Sequence, residues 1–206
     1  MRTASLCYES IISNLPKGDY YIHAVSDENS YCAELFDPVR LVIEPQKEIV
    51  EKPEYTWAVG RYCYGVQGVL KQLYGLKQVW NTFKSHATKY DWVIRCRADL
   101  FFTKLVEPIQ EWQNGITVPK FCNFYGLNDR FAIVNIQDAE KYFTRIDLLD
   151  EYIFNAKGIF HPETFLLWIC QKYNININRT NTLFYTLRQN GNKDEPFYDK
   201  NFGDIL

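Results

Sequence analysis

The stretch Asp91-Trp92-Val93-Ile94-Arg95-Cys96-Arg97-Ala98-Asp99-Leu100-Phe101-Phe102 (DWVIRCRADLFF) carries the strongest β signal in the chain. Trp92, Ile94, Cys96 and Ala98 alternate with Val93, Arg95, Arg97 and Asp99, and the first half is apolar on both sets. That pattern predicts a strand covered on both faces, at the centre of a sheet. Its end sets Arg95, Arg97 and Asp99 at alternate positions, on one face. Three charges there are costly unless a ligand uses them or they neutralise one another. Ligands of an α/β sheet gather outside the carboxyl ends of its strands. Guanidinium forks at Arg95 and Arg97 match phosphate oxygens. The Asp99 carboxylate suits a hard divalent cation that is also held by substrate phosphates. An Arg–Asp ion pair that fixes the strand end accounts for the same residues.

Upstream, residues 62–90 predict one long helix or two successive ones, because Val69, Leu70, Leu73, Leu76, Val79, Trp80 and Phe83 recur at three- and four-residue steps. A helix over 3–15 is closed by the turn residues Pro16-Lys17-Gly18-Asp19. Short strands follow at 20–25 and 39–43, and 46–55 reads as a surface loop. Downstream, the pattern gives strands at 115–121 and 130–134, helices at 136–154 and 162–173, and closing strands at 175–179 and 183–188. Strands that alternate with helices predict a single α/β domain over residues 1–206, with a mixed, mostly parallel sheet flanked by helices. An open nucleotide-binding fold of this kind starts with a hydrophobic strand. Here a helix begins almost at Met1, so that first strand is expected to be missing or atypical.

Composition narrows the function classes. Of the 206 residues 47% are hydrophobic and 17% aromatic, enough for a full core. A formal net charge of -2 without a Lys/Arg run argues against a nucleic-acid partner. No stretch approaches the roughly 18 apolar residues of a membrane span. The six cysteines form no C-x-x-C pair, and the first residues, with Arg2 and Glu9, do not read as a secretory leader. Free thiols and a cytoplasmic location are the expectation. No G-x-G-x-x-G, P-loop or G-x-S-x-G motif is present, which disfavours a dehydrogenase, a P-loop enzyme and an α/β hydrolase.

YDWVIRCRADLFF, preceded by QLYGLKQVWNTF, resembles the central segment of small viral and bacterial GT-A-like glycosyltransferases. GLNDRFAIVN (126–135) is similar to that group's Asn-Asp-Arg-Phe-Ala segment, and HPETFLLWICQKYNI (161–175) to its Pro-Glu helix, with a final Leu187-Arg188. The likeness runs from about Leu6 to Arg188. It implies a GT-A (Rossmann-like) fold and transfer of a sugar from a nucleotide-diphosphate sugar to a glycan or other hydroxyl acceptor. It also implies Mn²⁺ or Mg²⁺ at the strand end. A typical Asp-x-Asp motif has Arg97 in its first place here, which leaves Asp99 as the carboxylate. Within this reading Arg2, Tyr74, Lys77, Arg95, Arg97 and Asn128 are donor contacts. Asp99 and His161 are metal ligands, His161 alternatively touching phosphate, and Asp129 and Glu163 are candidate catalytic bases. Ordinary chemistry explains some of them equally: Asn128-Asp129 suit a turn, and His161-Pro162-Glu163 suit a helix start. His23 is a strand-end histidine or a nucleotide contact. The rival function is a nucleotide-sugar or glycan-binding module without transferase activity, which the single carboxylate favours.

Overall fold

The computed structural model describes residues 2–27, 30–58, 65–157, 160–188 and 190–194. Helix α1 (Arg2–Asn14) leads into strand β1 (Tyr21–Val25), a 3-10 turn (Ser30–Phe36) and strand β2 (Arg40–Glu44). After the short helix α2 (Pro53–Ala58) comes the long helix α3 (Val66–Phe83), continued by a 3-10 turn (Lys84–Lys89). Strands β3 (Trp92–Cys96), β4 (Leu100–Phe102), β5 (Ile116–Pro119) and β6 (Phe131–Asn135) precede helix α4 (Ile136–Phe143). Helix α5 (Pro162–Tyr173) and strands β7 (Ile177–Thr180), β8 (Phe184–Leu187) and β9 (Lys193–Asp194) complete the order.

The strands form three sheets: parallel β1-β2, a four-stranded sheet in the order β3-β6-β5-β7, and β4-β8-β9. β6 is antiparallel to both its neighbours, and β4-β8 and β8-β9 are antiparallel, so only β1-β2 and β5-β7 pair in parallel among the described residues. The fold is mixed α/β as expected, but "mostly parallel" is corrected. Helices between strands make crossovers possible; they do not force a direction on β3, β5 and β6, between which no α-helix intervenes.

The central strand is β6, not the one over DWVIRCRADLFF. Phe131, Ala132, Ile133 and Val134 are wholly buried. Their alternation sends Ala132 and Val134 into one core, with α3, α4 and α5, and Phe131 and Ile133 into a second, with Leu100, Phe102, Phe184 and Ile11. β3 is an edge strand, paired with β6 alone in its sheet. The expected single strand over 91–102 also breaks. The chain turns at Arg97–Asp99, where Leu100 N–H bonds the Arg97 carbonyl at 3.3 Å, and re-enters as β4 in another sheet. The charged Arg97 and Asp99 are tolerated in a turn far better than in a covered ladder, whereas Arg95 stays in β3, paired with Ala132 and buried.

Local chemistry sets the other boundaries. In α3, Val66, Val69, Leu70, Leu73, Leu76, Trp80 and Phe83 are buried on one stripe, packed against β1 and β2 on one side and α4 on the other. Ser10 of α1 extends the edge of β4, accepting from Phe102 N–H at 2.7 Å and donating to its carbonyl at 3.1 Å. α5 starts with Pro162 behind His161 and stops at Asn174, whose φ of 52° places it in the left-handed region that terminates helices. The helix expected over 136–154 ends at Phe143 and gives way to a 3-10 turn (Arg145–Leu148) and a π-turn (Glu151–Asn155). The break lies where Arg145 turns inward and donates from Nη1 to the Tyr142 carbonyl at 2.6 Å. The expected loop over 46–55 ends in α2.

Leu73 has no exposed surface at the α3 contact. Leu73→Ala is expected to cost about 3 kcal/mol in urea unfolding, the usual range for such a cavity. A loss below about 1 kcal/mol would contradict this packing.

Candidate functional site

Two neighbourhoods carry the polar side chains, and α3 joins them. The first is a cleft of about 210 Å³ beyond the carboxyl ends of β1 and β2, lined by His23, Glu44, Lys47, Lys71, Gln72 and Tyr74 among others. This is where an α/β sheet with parallel strands receives a ligand. Glu44 organises it: its Oε1 faces His23 Nε2 at 2.8 Å and accepts from the Tyr74 hydroxyl at 2.8 Å, and its Oε2 pairs with Lys47 Nζ at 2.6 Å. The hydrogen bonds from Lys47, His23 and Tyr74, in that order, hold the Glu44 carboxyl down at about 2. Lys71 pairs with Glu48 at 2.5 Å. His23 is therefore both hydrogen-bonded and part of the cleft wall.

The second neighbourhood is interior. Asp129, 2% exposed, precedes β6 and takes a hydrogen bond on Oδ2 from Gln72 Nε2. Arg145 Nη2, wholly buried, stands 3.7 Å from the same oxygen, an ion-pair distance too long for a hydrogen bond. Burial pushes Arg95 below its ordinary value, against the favourable Tyr142 and Asp129. Arg95 Nη1, Arg145 Nε and Nη2 and the Tyr142 hydroxyl have no hydrogen-bond partner. Glu163, 4% exposed, adjoins this cluster at the start of α5. Burial and then the charge of Asp129 raise its carboxyl, opposed by His161. His161 Nδ1 and Glu163 Oε2 lie 2.8 Å apart but out of line, and neither has another hydrogen-bond partner.

The remaining predicted residues sort as follows. Arg97 and Asp99 pair bidentately, Nε to Oδ1 at 2.9 Å and Nη2 to Oδ2 at 2.6 Å, each side chain one-third exposed. This is the ion pair that fixes the strand end. With both oxygens engaged by Arg97, Asp99 as it stands does not fit a divalent ion. Among the described residues no three His, Cys, Asp or Glu side chains group closely enough to hold a metal. Asn128 is wholly buried and committed to turn structure. Its Nδ2 donates to the Phe121 carbonyl at 2.8 Å, its Oδ1 accepts from Arg130 N–H at 2.9 Å, and its N–H meets Asn123 Oδ1 at 3.2 Å. Tyr74 lines the cleft, whereas Lys77, one turn on, pairs with Asp147 at 2.5 Å and is not a lining residue. Arg2 opens α1, and its side chain lies outside the described residues. Cys7, Cys32, Cys96, Cys122 and Cys170 are free thiols, and burial lifts Cys96 to about 12. Cys63 lies outside the described residues.

Gln72, Arg145, Glu44, Lys47 and Lys71 were not predicted. Two of them had a readable signal. Gln72 stands three residues after Val69 and four before Leu76, and Arg145 three after Tyr142 and four before Leu149, so both occupy core positions of an apolar stripe.

The raised Glu163 carboxyl has a measurable consequence. Above the ordinary glutamate value of 4.5 the unfolded chain ionises while the folded one resists, so this group removes stability as pH rises until it ionises in the fold as well. Melting of wild type and Glu163→Gln is expected to show the variant gaining on wild type as pH rises above the ordinary glutamate value of 4.5. A difference that is flat or shrinks with pH would contradict the dominance of burial.

Known proteins give this geometry a limited context. No helix among the described residues is long and apolar enough to cross a membrane. No curated protein matches the chain. The apo crystal structure of mouse xyloside xylosyltransferase 1 is similar over 87% of this chain and 78% of its own, at 10% identity and a TM-score of 0.48, a likeness too slight to carry an argument. Residues 2–179 match the family described as a domain of unknown function (DUF7796). With most of its length inside that match, the chain belongs to the DUF7796 family.

Proposed function

We propose that the chain is a GT-A-like glycosyltransferase domain that takes a sugar from a nucleotide-diphosphate donor to a hydroxyl acceptor. The observation that carries this reading is the cleft at the carboxyl ends of β1 and β2, whose wall residue Gln72 also bonds the buried Asp129. A ligand there would lie beside one polar network and one hydrogen bond away from a second. The RCRAD, NDRFA and HPE segments contribute Arg95, Asp129 and Glu163 to that second network.

In this reading the nucleoside meets His23, Glu44 and Tyr74, and the diphosphate draws on Lys47 and Lys71. As the sugar–phosphate bond breaks, negative charge grows on the leaving diphosphate. Fixed cations facing it lower the barrier, at about 3 kcal/mol for one well-placed donor. Arg97 belongs to this set if the diphosphate replaces Asp99 as its partner. An ion such as Mn²⁺ or Mg²⁺ would need Asp99 released from Arg97. Asp129 and Glu163 are the two buried carboxylates of the interior network, and in this reading they are the candidates for the acceptor side. Gln72 and Arg145 engage Asp129, while Glu163 Oε2 has no hydrogen-bond partner.

The second reading is a binding module without transfer. The neutralisation of Asp99 by Arg97 favours it, since the strand end then offers no free carboxylate.

Isothermal titration with UDP- and GDP-sugars, with and without Mn²⁺, followed by a donor-hydrolysis assay, separates the two. Wild type is expected to bind and slowly hydrolyse a nucleotide sugar. Tyr74→Ala is expected to weaken binding about tenfold, the upper end of what one neutral hydrogen bond contributes. Binding without turnover supports the module, and absence of binding removes both readings. Mn²⁺ is expected to leave affinity unchanged. A gain with Mn²⁺ that Asp99→Asn abolishes would restore a metal to the strand end.

A further inference from the structure

The His161–Glu163 pair is built more like a base and its orienter than like a helix cap. His161 precedes α5 in an extended conformation and makes no side-chain cap bond. Its carbonyl accepts from Phe165 N–H and from the Thr164 hydroxyl, both at 3.0 Å, so its backbone is fixed. The imidazole turns Nδ1 inward, 2.8 Å from Glu163 Oε2, an ion-pair contact that a small rotation of the ring would bring into line as a hydrogen bond. Of the two side chains Glu163 is the deeper, at 5% against 15% exposure, so the histidine stands between the carboxylate and the surface. Ring geometry puts Nε2 on the edge away from Nδ1, and the His161 side chain keeps 15% of its surface exposed.

The wall beside the pair is strained. Cys122, Phe124 and Tyr125 adopt positive φ of 51°, 43° and 65°, a conformation that non-glycine residues enter at a cost. The Phe124 ring lies 5.9 Å from the His161 ring. The loop is clamped to the base of the pair: Leu127 N–H bonds the Glu163 carbonyl at 3.0 Å, and a Cβ on Gly126 would stand 2.1 Å from that oxygen. Strain held this firmly beside an acid–base pair is the usual mark of a working site.

We infer that His161, positioned by Glu163, is the general base that deprotonates the acceptor hydroxyl. This rests on the transferase reading. The acceptor oxygen forms its bond to the anomeric carbon, the bond from that carbon to the diphosphate breaks with its electron pair leaving on the diphosphate, and the acceptor proton passes to His161 Nε2. The imidazolium that results faces the Glu163 carboxylate. As a single displacement with the base opposite the diphosphate, the transfer inverts the anomeric centre. The roles expected from sequence are thereby exchanged: Glu163 becomes a positioning residue, and His161 touches the reacting hydroxyl.

Donor hydrolysis, with water as acceptor, tests this in the full chain without knowledge of the natural acceptor. His161→Ala is expected to lower kcat about 10²- to 10⁴-fold, the usual worth of a general base, with donor affinity within about twofold of wild type. Added imidazole is expected to restore at least about tenfold of the loss. Glu163→Gln is expected to lower kcat about tenfold or more at unchanged KM, with no rescue by imidazole. His161→Gln, which keeps a polar group of similar reach, is the second variant should the alanine fail to fold by circular dichroism. A wild type that hydrolyses donor while both His161 variants keep its rate overturns the inference and leaves the transferase reading standing. The same holds if only Glu163→Gln is impaired, which would return the base role to the carboxylate. A wild type that binds donor without hydrolysis overturns the base, and one that binds no nucleotide sugar removes the inference together with its premise.

Discussion

A carboxylate with 2% of its surface exposed is costly to hold unless neighbours compensate its charge, and Asp129 brings those neighbours together. It stands at the entrance to β6, the strand whose two faces feed both cores, so it cannot move outward without drawing the sheet with it. α3 supplies Gln72 to its Oδ2, and the turn after α4 supplies Arg145. This constraint reaches the cleft through α3. Gln72 and Tyr74 are two residues apart on one helix, so seating Gln72 against Asp129 also sets Tyr74 against Glu44.

Elements whose pattern is local were legible from the sequence. The apolar stripe of α3, the Pro162 start of α5 and the short strands β1 and β2 follow from periodicity and turn residues alone. What failed depends on partners distant in sequence. DWVIRCRADLFF and FAIVN are both apolar runs, and nothing within either run says which has sheet neighbours on both sides. The order β3-β6-β5-β7 decides it, giving β6 two partners and β3 one. The direction of pairing is equally non-local, which is why a mostly parallel sheet was expected and an antiparallel majority found.

The site was partly visible for a related reason. Polar residues at core positions of an apolar stripe are rare, because burial without a partner costs about 1–3 kcal/mol. Gln72 and Arg145 are such residues, and so is Glu163, three before Leu166 and seven before Cys170. Gln72 and Arg145 meet Asp129, and the charge of Asp129 reaches Glu163. Read as an exception to amphipathicity, each marks the interior cluster without any motif. Arg95, Arg97 and Asp99 were found by the opposite cue, charge ending a strand. That cue could not tell the wholly interior Arg95 from the two residues that neutralise each other in a turn.

Magnitudes then separate what a ligand can recruit from what it cannot. Arg97 and Asp99 are each one-third exposed, and a bidentate ion pair so placed contributes on the order of 1 kcal/mol, at the upper end for exposed pairs. A diphosphate, with more charge and more oxygens, can take Arg97 from Asp99 without disturbing the fold. Breaking the Asp129 arrangement by removing one partner is a loss of about 3–5 kcal/mol, a large part of a domain's stability. A group bound that firmly is ill suited to exchange protons and partners in each turnover. Asp129 therefore holds the frame, and the charges that can change partner lie at its edges, in the partly exposed Arg97–Asp99 pair and at His161.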